Sequence, residues 1–199
     1  LVLFLALAAT VLTFVTSTSI ESSPLPNTAI TLLGVVWIGV LGAFAALILG
    51  WSNVAGQPHV GTDTLFLLAL GVVANDVGAL FVGSAAGRHP LREWISPQKT
   101  IEGFVGGAIM TILAMIVVGA SGTSDTWTST SDLIILGIVI SLAAPLGDLT
   151  ESMFKRNLEI KDFGNIIRGH GGVLDRFDGF LFTLPAVYYL TLVITPWIP

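Results

Sequence analysis

The chain has 199 residues, of which 53% are hydrophobic and 11% charged, with 13 acidic and 8 basic side chains, and its mean hydropathy is +0.88. A soluble domain carries about 25% charged residues, so this composition excludes an ordinary water-soluble domain and points to a chain solvated by lipid. The absence of cysteine excludes disulfides, thiol nucleophiles and zinc–thiolate sites.

A membrane-spanning helix needs about 20 mostly apolar residues. Six stretches qualify in chain order: Leu1–Ser17, Thr28–Trp51, Thr64–Gly83, Ile101–Ala120, Leu133–Leu149 and Phe177–Ile198. The first lacks the basic n-region of a signal peptide and is read as a span, and the chain, opening on Leu1, as a trimmed piece of a longer protein. Breaker-rich segments separate the spans: 22–27, 56–58, His89-Pro90 and the Ser/Thr-rich 121–131. The stretches are too long and too continuously apolar for barrel strands. The expected fold is therefore all-α, a polytopic transmembrane helix bundle of about six spans. Residues 1–73 would form N-terminal transmembrane helices, and 74–199 a catalytic transmembrane region with loops 84–100 and 150–174.

Basic residues orient the spans. All eight lie after position 87: Arg88, Arg92 and Lys99 between the third and fourth spans, Lys155, Arg156, Lys161 and Arg168 between the fifth and sixth, and Arg176 at the start of the sixth. Two spans separate the two basic loops, which puts both on one face, assigned to the cytoplasm by the positive-inside rule. No long basic stripe is present, so nucleic acid is not an expected partner. The spacings Gly83-x-x-x-Gly87 and Gly103-x-x-x-Gly107 suit close helix packing within the subunit. Trp51, Trp94, Trp127 and Trp197 near span ends are expected as interface anchors.

Acidic residues inside or at the ends of spans are costly and usually functional. Asp76 lies within the third span, Asp148 and Glu151 close the fifth, and Asp175 and Asp178 open the sixth. If the fifth helix runs on, Asp148, Ser152 and Lys155 share one face, and Asp175 and Asp178 share another. Carboxylates beside several Lys and Arg suit a divalent cation such as Mg²⁺ together with a phosphate ligand. The alternative is a set of interfacial salt bridges such as Glu151 with Lys155. Between these helices, Gly169, Gly171 and Gly172 flank His170, leaving backbone N–H groups accessible to an anion such as a polyphosphate.

From Ser152 to Asp178 the chain resembles the phosphatidate cytidylyltransferases. The matching residues are Ser152, Lys155, Arg156, Lys161, Asp162, Gly164, His170, Gly171, Gly172, Asp175, Arg176 and Asp178. Upstream, Ile95-Ser96-Pro97-Gln98-Lys99-Thr100-Ile101-Glu102-Gly103 and Asp76-Val77-Gly78-Ala79 are similar to two further family stretches. Arg168, Val77 and Leu80 depart from the family pattern, and family members carry more membrane-spanning sequence at the N-terminus.

The resemblance implies transfer of a cytidylyl group from CTP to phosphatidic acid, giving CDP-diacylglycerol and pyrophosphate. It also implies a divalent metal on Asp148 and Asp175, Mg²⁺ with K⁺ close by, and a homodimer among membrane lipids. Lys155, Arg156, Lys161, Asp162, His170, Arg176 and Asp178 would form the catalytic set. Asp76, Lys99, Thr100, Glu102, Ser152, Gly171 and Gly172 would bind substrate. His170 either orders the glycine loop or touches substrate, and Asp178 either binds metal or pairs with Arg176. Rival readings are a transporter using intramembrane carboxylates, a CDP-archaeol synthase-like or polyprenol kinase-like enzyme, and an inactive homologue.

Overall fold

The computed structural model describes residues 1–16, 23–54, 58–164 and 172–194. They fall into two compact units, Leu1–Phe44 and Ala45–Pro199. In the first unit, α1 (Val2–Val15) packs on α2 (Pro24–Gly34) and on the π-helical stretch Val35–Val40 that follows it. Pro24 and Pro26 stand in the first turn of α2, where a missing N–H removes no helical bond. The helical path continues as α3 (Leu41–Val54).

The second unit carries α4 (Val60–Ala86), a hairpin of β1 (Pro90–Arg92) and β2 (Ser96–Thr100), α5 (Ile101–Ser121), α6 (Thr130–Asn157) and α7 (Leu174–Ile194). Five helical stretches among the described residues are long and apolar enough to cross a membrane: Pro24–Trp51, α4, α5, α6 and α7. The architecture is the expected polytopic helix bundle, with five such stretches rather than six. Among the described residues α1 is a shorter apolar helix of 14 residues. The hairpin in loop 84–100 was not anticipated. Its strands are antiparallel, with Pro90 opposite Thr100 and Arg92 opposite Ser96.

Small residues bring α4 and α5 into backbone contact. A Cβ on Gly78 would fall 2.6 Å from the Met110 Cβ and 2.9 Å from the Gly106 carbonyl oxygen, and one on Gly107 would fall 2.8 Å from the Asn75 carbonyl oxygen. Gly83 and Gly103 face each other at the same crossing, so the small-residue spacings serve packing within the subunit. Asn75, buried here, donates to the Thr111 hydroxyl (3.3 Å), which bonds in turn to the Gly107 carbonyl (2.9 Å). Leu67, Leu68 and Val72 of α4, Met115 of α5, Leu133, Leu136 and Ile140 of α6, and Val187 of α7 form the apolar core.

At the N-terminal end of α4, Asp63 accepts hydrogen bonds from the Ser124 hydroxyl (3.0 Å) and the Thr126 N–H (3.3 Å). Trp127 is buried, 1% exposed, and its indole N–H donates to the Thr64 hydroxyl (3.0 Å). It is a core residue, not an interface anchor, because a polar partner on α4 satisfies its one donor. Trp51 stacks on Tyr188 with ring centroids 5.4 Å apart. Trp94, 69% exposed on the hairpin turn, retains the character expected of an anchor, and Trp197 lies outside the described residues.

Candidate functional site

The last turns of α6 carry Asp148, Glu151, Ser152, Lys155 and Arg156, because the helix runs eight residues past the apolar stretch that ends at Leu149. Helix α7 begins at Leu174 and presents Asp175 and Asp178 in its first two turns. The two helices meet at Gly147, whose missing side chain leaves room for the Asp178 carbonyl and for the Gly179 Cα, 3.0 Å from where a Cβ would stand. This close approach sets Asp178 beside the acidic face of α6.

One carboxylate oxygen from each of Asp148, Glu151 and Asp178 lies within 4.8 Å of the other two. Glu151 is only 1% exposed. Its Oε2 accepts from the Lys155 ammonium (2.6 Å), whereas no hydrogen-bond donor among the described residues reaches its buried Oε1. A buried carboxylate oxygen without a partner is expensive. A cation bound by the three carboxylates would satisfy it. Hard oxygen donors with no thiolate or imidazole suit Mg²⁺ or a similar ion, so this donor set fits a divalent metal.

Asp175 adjoins Glu151 of that trio and has donors of its own. Its carboxylate accepts from the Lys155 ammonium (3.0 Å), the Gly172 N–H (2.7 Å) and the Phe163 N–H (3.1 Å). It thereby fastens the incoming loop to the start of α7, and Lys155 bridges it to Glu151. The Glu151–Lys155 salt bridge raised as an alternative is present, alongside the acidic trio.

A cavity of about 580 Å³ adjoins the trio through Asp148. Its wall includes Asn75, Asp76 and Ser84 of α4, Ser96, Gln98 and Lys99 of β2, Phe104 of α5 and Pro145 of α6. Lys99 forms an ion pair with Asp148 across it. Thr100 also lines the cavity, but its hydroxyl is engaged as the N-cap of α5, accepting from the Gly103 N–H (3.1 Å).

Glu102 points away from this cavity. It accepts from the backbone N–H groups of Arg88 (3.1 Å) and His89 (3.2 Å) and pairs with the His89 ring, which pins the end of α4 to the start of α5. The Arg156 Nε donates to the Ile95 carbonyl at the hairpin turn (3.1 Å).

Ser152 is half-buried on α6, Gly172 is buried at the entry to α7, and Lys161, Asp162 and Arg176 are exposed around the same end of the bundle. His170, Gly171 and Arg168 lie outside the described residues. The structure thus gathers Asp76, Lys99, Asp148, Lys155, Asp175 and Asp178 at one end of the second unit and directs Glu102 elsewhere.

Two contributors were not assigned from sequence as site residues. Glu151 was legible as an acidic residue one helical turn from Asp148. Gly147 left no signal beyond a glycine beside an acidic residue.

The protein has the fold of a multi-span membrane protein with an acidic and basic site at one end of its bundle. A model of the cytidylyltransferase family matches residues 1–194, and the chain belongs to that family. It is 40% identical over 131 residues to a phosphatidate cytidylyltransferase of Bacillus subtilis, covering 65% of this chain and 48% of the relative. It is 36% identical over 158 residues to one of Mycobacterium bovis, covering 79% and 48%. It is 35% identical over 170 residues to one of Staphylococcus saprophyticus, covering 84% and 60%. The chain spans about half the length of the curated relatives it matches.

Proposed function

We propose that the protein transfers a cytidylyl group from CTP to phosphatidic acid, releasing pyrophosphate and leaving CDP-diacylglycerol in the membrane. The observation that carries this is the double role of Asp148. It belongs to the three-carboxylate group and also walls, with Lys99, a cavity of about 580 Å³, within the size range of small-molecule sites.

Asp148, Glu151 and Asp178 would hold a divalent cation, Mg²⁺ by donor type, whose chemistry here is to neutralise the triphosphate and the developing charge on its leaving group. The remaining work falls to the chain's own side chains. Lys99 lines the cavity with its ammonium held against Asp148, and release of that pair would let the ammonium meet a phosphate oxygen. Lys155 holds Glu151 and Asp175 in place, which fixes the spacing of α6 and α7. Lys161 and Arg176, exposed at the same end, supply further positive charge for the departing pyrophosphate.

In the reaction a phosphate oxygen of the lipid forms a bond to the α-phosphorus of CTP as the bond from that phosphorus to the oxygen bridging to the β-phosphate breaks. The attacking oxygen is already anionic, so no strong general base is needed. Rate comes from orientation and charge stabilisation.

The basic loops 84–100 and 150–174 are assigned to the cytoplasmic side, where soluble CTP meets a headgroup whose acyl chains stay in lipid. K⁺ near the acidic group is a further candidate ion.

The test uses CTP labelled at either the α- or the γ-phosphate, with phosphatidate, an ether-lipid phosphate and a free polyprenol as acceptors. Alpha-label appearing in phosphatidate-derived lipid supports the assignment. Gamma-label in polyprenol would replace it with a kinase, and preference for the ether lipid would move the substrate class.

A further inference from the structure

Arg156 has an unexpected partner for a basic residue at a proposed phosphate site. Its side chain reaches across 61 positions of sequence to donate from Nε to the Ile95 carbonyl (3.1 Å). Ile95 is buried at the turn of the β1–β2 hairpin, and its own N–H closes that turn on the Arg92 carbonyl (3.1 Å). Four residues further along β2, Lys99 pairs with Asp148.

The two contacts match in spacing. Asp148 and Arg156 are eight residues apart on α6, about 12 Å at the helical rise. Ile95 and Lys99 are four residues apart on extended chain, about 13 Å. Strand β2 therefore runs alongside the end of α6, fastened near both ends, and packs against that helix.

The base of the hairpin is anchored separately. Glu102 holds the Arg88 and His89 N–H groups, and the Ile101 N–H donates to the His89 carbonyl (2.9 Å). The hairpin is thus a strap running from the α4–α5 junction across the cavity to α6. At its far end Ile95 is buried, and the Arg156 Nε donor ties the turn to α6.

We propose that Arg156 is a positioning residue: by holding the hairpin turn against α6 it sets Lys99 over Asp148 and keeps the cavity wall closed. The proposal rests on the assignment of the cavity to the transfer reaction, but its structural half can be tested without activity. A direct phosphate contact needs the charge of Arg156. The strap needs only an N–H at the position of Nε, and glutamine places its amide nitrogen the same number of bonds from Cα.

The experiment compares Arg156→Met, which removes the donor at similar length, with Arg156→Gln, which keeps the donor and removes the charge. Both are made in the full-length protein bearing a spin label at Glu93→Cys, an exposed turn position. No cysteine in these 199 residues competes for the label. Line shape is recorded in lipid nanodiscs, and turnover is measured on the same samples.

Arg156→Met is expected to mobilise the label and to lower kcat/KM about tenfold, the scale of one lost charge-assisted hydrogen bond. Arg156→Gln is expected to keep the label as immobile as in the parent and to restore most of the turnover. A label that stays immobile in Arg156→Met, or an Arg156→Gln protein no more active than Arg156→Met, overturns the proposal. If the parent itself transfers no cytidylyl group, the proposed reaction fails, and the label's mobility still decides the strap.

Discussion

The contact at Gly147 offers the sharpest perturbation, because it joins the packing of α6 on α7 to the geometry of the acidic trio. In Gly147→Ala the new methyl group would overlap the Asp178 carbonyl oxygen and sit 3.0 Å from both the Asp178 carbonyl carbon and the Gly179 Cα. Unstrained carbon–carbon contacts lie at about 3.5–4.0 Å, so the helices must separate by roughly 0.5–1 Å. All three opposing atoms are backbone and cannot rotate away. Overpacking of this kind costs about 1–3 kcal/mol, and replacing a mid-helix glycine returns up to about 1 kcal/mol. The net loss is up to about 3 kcal/mol, with the middle of the range at about 1–2 kcal/mol. Asp178 moves with α7, away from Asp148 and Glu151. The assay is thermal unfolding followed by tryptophan fluorescence, paired with Mn²⁺ binding followed by the EPR signal of the free ion. The variant should unfold several degrees lower, and Mn²⁺ binding should weaken about 10–100-fold, as when groups supporting a metal site are disturbed. Gly50→Ala, where a Cβ would meet no atom within 4 Å, is the control and should be neutral or stabilising. A Gly147→Ala protein that keeps the parent's unfolding temperature and Mn²⁺ affinity would refute the claim that this glycine sets the trio.

Asp178→Asn and Glu151→Gln should each weaken Mn²⁺ binding about tenfold or more, whereas Asp175→Asn should change it much less and instead loosen the 158–164 loop, measured by hydrogen exchange at Phe163. Thr100→Ala removes the cap of α5 and should cost about 1 kcal/mol in unfolding experiments, with Thr100→Ser restoring it. Trp127→Phe leaves the packing largely filled but breaks the buried bond to Thr64; it should lower stability by about 1–3 kcal/mol and leave turnover unchanged. Thr64 precedes Asp76 by twelve residues of α4, about 18 Å, so lost turnover without lost stability in that variant would contradict its placement.

The helices were legible from sequence because a membrane span announces itself by length and apolarity, and α4, α5, α6 and α7 lie where the apolar runs predict them. The extension of α6 past Leu149 was raised only as a condition, with 150–174 read as loop; the helix takes in the residues up to Asn157, and Asp148, Ser152 and Lys155 keep helical spacing along it. The hairpin was not anticipated. Its strands Pro90–Arg92 and Ser96–Thr100 are short and carry two prolines, and β2 lacks the alternation of a half-buried strand; they lie where the flanking helices bring their ends together. Which carboxylates converge was equally hidden. Asp148 and Asp175 share no periodicity, and the backbone N–H groups of Phe163 and Gly172 that Asp175 accepts lie on loop residues whose spacing gives no cue. The orientation of Glu102 follows likewise from loop N–H groups at Arg88 and His89, which composition does not reveal.

The most direct measurement is cytidylyl transfer from CTP to phosphatidate in liposomes by the full-length protein, with and without Mg²⁺, beside Asp148→Asn. Mg²⁺-dependent formation of CDP-diacylglycerol and pyrophosphate, lost in Asp148→Asn, is the expected result. Transfer that persists undiminished in Asp148→Asn, or a folded parent protein that forms no CDP-diacylglycerol, would contradict the assignment of this acidic site to that reaction.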